Sequence, residues 1–166
     1  MNQTTMEIGQ KFPLTIKRLG INGEGVGFYK RNVVFVKGAI PGEEVTVKVT
    51  NLQRNFAEAE ILKIRKPSEF RKEPECSVYE QCGGCQLQHM SYEAQLLNKR
   101  DIVVQAMEKY ARDIAENTEI RPTIGMDNPW HYRNKSQFQV RKEGKRVYAG
   151  PFTEGPNNLL NINECL

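Results

Sequence analysis

The stretch "NGEGVGFYKRNVVFVKGAIPGEEVTVKVT" (residues 22–50) decides the fold of the first half of this chain. It opens with three glycines between positions 23 and 27, which predict a turn or a bulged, strongly bent strand. The run "NVVFVKG" (residues 32–38) is rich in β-branched and aromatic side chains, which favour strands. A Pro-Gly turn then precedes a segment in which every second residue from 45 to 49 is valine. This alternation predicts a strand with one buried face.

Two flanking segments extend the pattern, because "LTIKRL" (residues 14–19) and "NFAEAEILKI" (residues 55–64) also alternate. Five short strands with glycine-rich bends within residues 12–65 predict a small closed β-barrel of the OB type, and an SH3-like barrel fits almost as well. The predicted fold class is mixed, mainly β with one long helix. An OB-like five-stranded barrel over residues 1–66 is followed by a small α+β domain over residues 67–166, which holds a cysteine-ligated cluster. We expect "KPSEFRKEPE" (residues 66–75) to be a plain linker.

The long helix is predicted over residues 91–115. Ser91 is a suitable N-cap, and Glu93 lies in the first turn near the positive end of the helix dipole. Apolar residues recur at spacings of three, four and seven, and we expect this stripe to pack in the core. Its members are Leu96, Leu97, Val103, Val104, Met107, Tyr110, Ala111 and Ile114. Further along, a β-hairpin is predicted around Glu143 and Gly144.

The charge distribution favours a polyanionic partner. The formal net charge is +4, and residues 1–66 carry 11 Lys and Arg against 6 Asp and Glu. A second basic block lies within residues 128–149. Such blocks suit RNA, and aromatic side chains among them offer stacking surface for single strands. The candidate RNA-binding residues are Lys17, Arg18, Lys30, Arg31, Arg54, Phe56, Arg133 and Lys135.

Three of these assignments carry structural expectations. Lys30 and Arg31 are expected at a hairpin tip. Phe56 is expected either on the RNA-facing surface or in the barrel core. Arg133 and Lys135 are two residues apart on a predicted strand, so they are expected to face the same side.

The chain has no run of about 18 apolar residues that could span a membrane. Its N-terminus, "MNQTTMEIGQK", lacks the basic-then-apolar pattern of a signal peptide. We therefore expect a cytoplasmic protein without a membrane partner, and nothing in the sequence indicates an obligate interface, so a monomer is predicted. In a reducing compartment, clustered cysteines favour metal binding or catalysis over disulfides.

Three of the four cysteines, Cys76, Cys82 and Cys85, lie within ten residues, and Cys165 lies far downstream. The two glycines between Cys82 and Cys85 allow the backbone to wrap tightly around a metal centre. Zinc accepts four thiolates, or three with His89, but zinc sites usually come as two paired knuckles. Three clustered cysteines with one remote cysteine favour iron–sulfur ligation, and zinc stays open. A stand-alone zinc-containing RNA-binding module and a small electron-transfer protein are the competing functional hypotheses.

Specific motifs resemble a known family. The segment "CSVYEQCGGCQLQHMSYEAQLLNKR" (residues 76–100) resembles the iron–sulfur segment of the RumA-type RNA (uracil-5-)-methyltransferases. The motifs "GEGVGF" (residues 23–28), "VFVKGAIPGE" (residues 34–43) and "FAEAEILKI" (residues 56–64) resemble the TRAM domain that these enzymes carry. "NPWHYRNKSQFQV" (residues 128–140) resembles the start of their central domain. The resemblance covers nearly the whole chain.

The resemblance implies a [4Fe-4S] cluster held by Cys76, Cys82, Cys85 and Cys165, and RNA contacts from the barrel and from the "YRNK" stretch. Relatives that methylate tRNA often lack both the barrel and the cluster, so the combination implies 23S rRNA as the substrate. The family also needs S-adenosylmethionine and a catalytic cysteine. No cysteine is left over here, and no Gly-rich strand-to-helix loop is present to hold the cofactor. We therefore expect no catalytic or cofactor-binding residue and no Rossmann-like domain in this chain. It is expected to be an inactive N-terminal portion of a longer enzyme.

Overall fold

The structure, a computed structural model, describes residues 6–153, 159–162 and 165. Five strands come first: β1 (Lys11–Leu19), β2 (Gly25–Tyr29), β3 (Asn32–Val36), β4 (Glu44–Leu52) and β5 (Phe56–Lys66). Two helices follow, α1 (Tyr92–Tyr110) and α2 (Arg112–Ala115), and then two strands, β6 (Gln139–Glu143) and β7 (Arg146–Gly150). The fold is therefore mainly β with one long helix, as the sequence predicts.

The first five strands form a closed barrel in the order β1-β2-β3-β5-β4. Neighbouring strands are antiparallel except β3 and β5, which pair in parallel, with Val33 opposite Phe56 and Val36 opposite Ala59. This order and the single parallel pair are those of an OB-type barrel. Of the two barrel types that fit the sequence, the OB-like one is confirmed.

Alternating residues of the strands fill the barrel. The buried set is Phe12, Leu14, Ile16, Val34, Val36, Val45, Val47, Val49, Ala57 and Ala59. Burying one valine or leucine side chain stabilises a protein by roughly 1.5–3 kcal/mol. The barrel thus has a continuous apolar core made from its own strands.

The glycine-rich bend is confirmed, because Gly27 lies where β2 crosses close to β1. A Cβ atom at Gly27 would lie 2.7 Å from Leu14 Cγ and 2.8 Å from the carbonyl oxygen of Thr15. The β1–β2 register also shifts between Ile16 and Arg18, which marks a bulge. Only a residue without a side chain allows the two strands to approach this closely.

The prediction of a single helix over residues 91–115 is wrong at Ala111, where the helix is interrupted. Ser91 caps α1 as expected, since its Oγ accepts a hydrogen bond from the Ala94 N–H at 3.3 Å. The chain leaves the helical conformation at Ala111, where φ is −147°, and α2 then starts at Arg112. Alanine is the strongest helix former, so nothing in the local sequence marks this break.

The expectation that the apolar stripe lies in the core is also wrong. Ala94 is the only residue of α1 that is buried among the described part of the chain. Val103, Tyr110 and Ile114 are exposed. The described residues offer the second half of the stripe little to pack against.

The segment predicted to be a plain linker is instead fastened to the barrel. Phe70 packs against a second small core formed by Leu19, Ile40, Met90 and Ala94, which joins α1 to the barrel. Backbone hydrogen bonds run from the Ser91 N–H to the Phe70 carbonyl (2.8 Å) and from the Lys72 N–H to the His89 carbonyl (3.0 Å).

Strands β6 and β7 form the predicted hairpin, with Gly144 in the turn at a φ of +62°. The strand predicted for Arg133 and Lys135 is wrong, because β6 begins only at Gln139. Both residues lie in an irregular segment and are exposed. The alternation of side chains along a strand therefore does not apply to Arg133 and Lys135, and it gives no reason for them to face the same side.

Candidate functional site

One end of the barrel gathers four of the predicted RNA-binding residues. Lys30 and Arg31 form the two-residue turn between β2 and β3, with φ values of +47° and +70°. Val33, two residues later, pairs with Phe56 on β5, and Arg54 lies in the short turn that leads into β5. The three cationic side chains are exposed. The register therefore places three positive charges and one aromatic ring at the same end of the barrel.

A pair of aromatic rings forms the outer surface next to these charges. The rings of Phe35 and Phe56 meet edge to face, with centroids 5.3 Å apart and an interplanar angle of 81°. Both side chains are half-buried, and Phe28 is exposed. Phe56 thus lies on the surface rather than in the core. Sequence reasoning missed Phe35, although its position between the inward-facing Val34 and Val36 indicates an outward side chain.

The other predicted RNA-binding residues lie elsewhere. Lys17 is exposed and Arg18 half-buried on β1, next to the start of β2. Arg133 is held at the cysteine segment, where its Nη2 donates a hydrogen bond to the Gly84 carbonyl at 3.3 Å. Lys135 follows it in the same irregular segment. The structure therefore divides the predicted set into a barrel-end group, a β1 pair and a pair near the cysteines.

A cleft of about 1580 Å³ separates the barrel from α1. Arg18, Phe35 and Phe56 line its barrel side, and Lys109 and Arg112 line its helix side. The lining also carries five glutamates, Glu24, Glu58, Glu60, Glu80 and Glu108, so the cleft combines opposite charges with aromatic rings.

All four cysteines line one small cavity of about 70 Å³. None of the four, all of which lie in the described part of the chain, is in a disulfide. His89 is not among the residues that line this cavity. Within residues 6–153, 159–162 and 165, no group of three or more His, Cys, Asp or Glu side chains is arranged to hold a metal ion. The four thiols therefore line a common space.

The cysteine loop is held from two sides. Cys82 forms an isolated β-bridge with Thr153, and the Gly83 N–H donates to the Phe152 carbonyl at 3.4 Å. The Gly84 N–H points at Cys82 Sγ, 3.3 Å away. Trp130 and Tyr132 line the same cavity, so the aromatic stretch before β6 packs against the loop.

Positive charge faces the cysteines. A hydrogen bond with Tyr132 and the charge of that group raise the pKa of Arg133, and the thiols of Cys85 and Cys165 raise it further. A fixed cation at this position stabilises negative charge on the sulfurs.

A hydrogen bond between Tyr79 and His89 lies within the cysteine segment. The Tyr79 hydroxyl and His89 Nδ1 are 2.6 Å apart, and His89 is only 4% exposed. Burial lowers the pKa of His89 to about 4, and the charge of Arg71 lowers it too, while Glu43 opposes the shift. Burial raises the pKa of Tyr79 to about 12. The imidazole is thus neutral at pH 7, and its Nε2 atom has no hydrogen-bond partner among the described residues.

Glu43 and Arg71 form the strongest polar contact that sequence reasoning missed. Glu43 is fully buried, and its carboxylate accepts hydrogen bonds from Arg71 Nε (2.5 Å), Arg71 Nη2 (2.8 Å) and the Ile40 N–H (3.0 Å). Arg71 also donates to the Gly38 carbonyl at 2.7 Å. Burial raises the pKa of Glu43, but these hydrogen bonds and the charge of Arg71 outweigh it, and the pKa lies below the ordinary 4.5.

The comparison with known domain families identifies the barrel. The chain matches the TRAM domain over residues 6–62, a range that starts just before β1 and ends within β5. Residues 6–62 form a TRAM domain. The expectation that the barrel is of this type is confirmed.

The similarity to known proteins extends far beyond the TRAM domain. A protein of Halalkalibacterium halodurans, named an uncharacterised RNA methyltransferase, is 59% identical over 158 residues, which cover 95% of this chain and 34% of the relative. A protein of Bacillus anthracis with the same description is 56% identical over 165 residues, 99% of this chain and 36% of the relative. The resemblance to RNA methyltransferases is confirmed by these names. The chain spans about a third of the length of these relatives.

A solved structure of a conserved protein from Methanococcus maripaludis is 33% identical and covers 37% of this chain and 90% of its own length. The TM-score of this pair is 0.35. Among the helices of the described residues, none is sufficiently long and apolar to cross a membrane.

Proposed function

We propose that this chain is the RNA-recognition and iron–sulfur portion of an S-adenosylmethionine-dependent RNA (uracil-5-)-methyltransferase that makes 5-methyluridine in 23S rRNA. The observation that carries the proposal is the similarity of 99% of the chain to a relative named an RNA methyltransferase. The sequence motifs support the uracil target and the rRNA substrate, and we propose a cytoplasmic location because the N-terminus lacks a signal-peptide pattern.

RNA is recognised, in this proposal, by the barrel end that carries Lys30, Arg31, Arg54 and Phe56. The cationic side chains are exposed and can reach phosphates, although Lys30 Nζ lies over the Tyr29 ring, 5.3 Å from its centroid. The Phe35–Phe56 pair offers a face for an unpaired base. Stacking of one base on an aromatic side chain contributes about 1–3 kcal/mol. The charges supply affinity, and the rings favour single-stranded over double-stranded RNA.

The methylation chemistry is assigned to polypeptide outside this chain. Uracil C5 is a poor nucleophile, so a thiolate must add at C6 to give C5 carbanion character, and a base must later remove the C5 proton. All four cysteines of this chain line a single cavity. None of them is therefore assigned as the nucleophile, and this chain contributes binding and orientation of the RNA.

The four-cysteine cavity suits a [4Fe-4S] cluster, with Cys76, Cys82, Cys85 and Cys165 as ligands. A cubane has four iron corners, so its thiolates surround a volume, whereas the ligands of a single zinc ion converge on one point. Four thiols that line one cavity support the cluster. When bound, the cluster supplies a cross-link between the cysteine loop and the distant Cys165. Arg133 balances part of its negative charge.

The metal assignment is tested on the chain purified without oxygen. A [4Fe-4S] cluster is expected to give a brown protein that absorbs near 400 nm and contains iron and sulfide in equal amounts. A colourless protein with one zinc ion per chain would contradict the cluster and favour the zinc-containing RNA-binding module.

The activity is tested on a protein of the relatives' full length that contains residues 1–166. It is incubated with S-adenosylmethionine and unmodified 23S rRNA, and the digested RNA is analysed for 5-methyluridine by mass spectrometry. We expect 5-methyluridine with the longer protein and none with the 166-residue chain. Methylation of another base, or of tRNA in preference to 23S rRNA, would contradict the proposal.

A further inference from the structure

One face of α1 is covered along half of its length. Tyr92, Leu96, Val103, Met107 and Tyr110 lie on this face, because they follow one another at intervals of four, seven, four and three residues. Residues 120–126 run antiparallel along its first half. The hydrogen bonds join Arg100 Nε to the Ile120 carbonyl (2.9 Å), Thr123 Oγ1 to the Leu96 carbonyl (3.0 Å) and the Met126 N–H to the Tyr92 hydroxyl (2.9 Å).

The covered half makes one close contact with this segment. A Cβ atom at Gly125 would lie 2.8 Å from Leu96 Cδ1, so the segment lies directly on the helix. This face of α1 therefore packs against another segment of the same chain.

The second half of the same face has no such cover among the described residues. Val103 is 49% exposed and Tyr110 is 77% exposed, and Met107 between them is only half-buried. Helices in proteins owe most of their stability to packing of an amphipathic face rather than to propensity. Within the part of the chain that the structure describes, this apolar half-face therefore lacks a partner.

We propose that Val103, Met107 and Tyr110, which we call the docking face, pack against further polypeptide of the same protein. The inference rests on the proposed function, in which this chain belongs to a longer enzyme. The match covers 36% of a relative at 56% identity, so most of that relative's length lies outside it. The docking face also continues an interface that this chain's own residues 120–126 already fill.

Val103 and Met107 offer no group that binds phosphate and no flat ring for a base. Tyr110 has a ring, but Lys109 Nζ lies over it, 4.8 Å from its centroid, and Tyr110 also lines the cleft beside the barrel, so it marks the edge of the docking face. The docking face therefore joins the RNA-recognition portion to the remaining polypeptide. This contact fixes the orientation of bound RNA relative to that polypeptide.

Hydrogen–deuterium exchange tests the inference by comparing the 166-residue chain with a protein of the relatives' full length that contains it. We expect the amides of residues 103–110 to exchange roughly tenfold or more slowly in the longer protein, because a packed helix opens less often. Val103→Asp in the longer protein is expected to restore the faster exchange, and Tyr110→Lys is a second variant at the same face. Val147→Asp, at an exposed position on β7, is the matched control and is expected to leave these amides protected.

Equal exchange of residues 103–110 in both proteins would overturn the inference. So would self-association of the 166-residue chain that Val103→Asp abolishes in sedimentation experiments, because the occupant would then be a second copy. Methylation measured on the same samples separates the two proposals. An active longer protein with an unprotected docking face overturns only this inference, and a protected docking face in a protein that methylates no uracil overturns only the proposed function.

Discussion

At the scale of single residues, the Glu43–Arg71 pair fastens the segment after the barrel to the barrel itself. Removing one partner of a buried ion pair leaves an uncompensated charge and costs about 3–5 kcal/mol. We expect Arg71→Ala to lower the free energy of unfolding by roughly 3 kcal/mol, measured by urea denaturation. The exposed Lys72→Ala is the matched control, and an equal loss of stability in both variants would contradict the role given to the pair.

The lowered pKa values of His89 and Glu43 make the stability of the folded chain depend on pH. The pKa of His89 is lowered to about 4 in the folded chain. As the pH falls below 6.5, His89 therefore becomes protonated in the unfolded chain while it stays neutral in the folded chain. Stability is therefore expected to be complete above pH 6.5 and to fall as the pH drops toward 4. The lowered pKa of Glu43 adds a second loss below about 4.5.

The pH prediction is checked by urea denaturation between pH 7 and pH 4. His89→Leu is expected to remove the slope between pH 6.5 and pH 4 while leaving the decrease below it. An unchanged slope in this variant would show that another group titrates.

Arg31 occupies a backbone conformation that glycine prefers, with a φ of +70°. Arg31→Gly is expected to be about 1 kcal/mol more stable than Arg31→Ala, because both lose the charge but only glycine relieves the strain. Both variants are expected to bind RNA more weakly than the unsubstituted chain. Unfolding curves and RNA titrations of the two variants check this, and undiminished RNA binding would remove Arg31 from the interface.

At the scale of elements, the cysteine loop is held by segments far away in sequence. Cys82→Ser is expected to abolish absorbance near 400 nm, lower the unfolding temperature and weaken RNA binding together, since Arg133 is hydrogen-bonded to the loop at Gly84. Ser77→Ala, an exposed neighbour, is the control. A Cys82→Ser chain that stays fully folded with unchanged RNA affinity would defeat a structural role for the cluster.

The sequence predicts those elements whose signals are local. The barrel strands, the Ser91 cap and the Gly144 turn follow from alternation, capping chemistry and glycine. The break at Ala111 has no local signal. The prediction of a plain linker is wrong because the structure of this segment depends on the contact between Arg71 and Glu43, which lies 28 residues earlier. Local composition does not indicate such a contact.

At the scale of the whole molecule, the cysteines could be grouped from their spacing, but their shared cavity depends on tertiary contacts that bring Thr153 to Cys82. The predicted RNA-binding residues could be identified from the sequence only as a list of charged and aromatic residues.

The strand register divides this list into groups. The β2–β3 turn and the start of β5 lie at one end of the barrel, whereas Arg133 lies at the cysteine loop. Phe35 joins the site only once β3 and β5 are known to be neighbours.

The central claim is that the barrel end carrying Lys30, Arg31, Arg54 and Phe56 binds single-stranded RNA, and the salt dependence of the dissociation constant tests it most directly. Fluorescence anisotropy with a labelled single-stranded RNA should give a linear decrease of log affinity with log salt, with a slope of about −0.7 for each phosphate contacted. Arg31→Ala with Arg54→Ala should reduce the slope by about 1.4 units. Lys63→Ala with Arg65→Ala, the same charge change toward the other end of β5, should leave it unchanged. An affinity that does not depend on salt, or that responds equally to both double substitutions, would contradict the account.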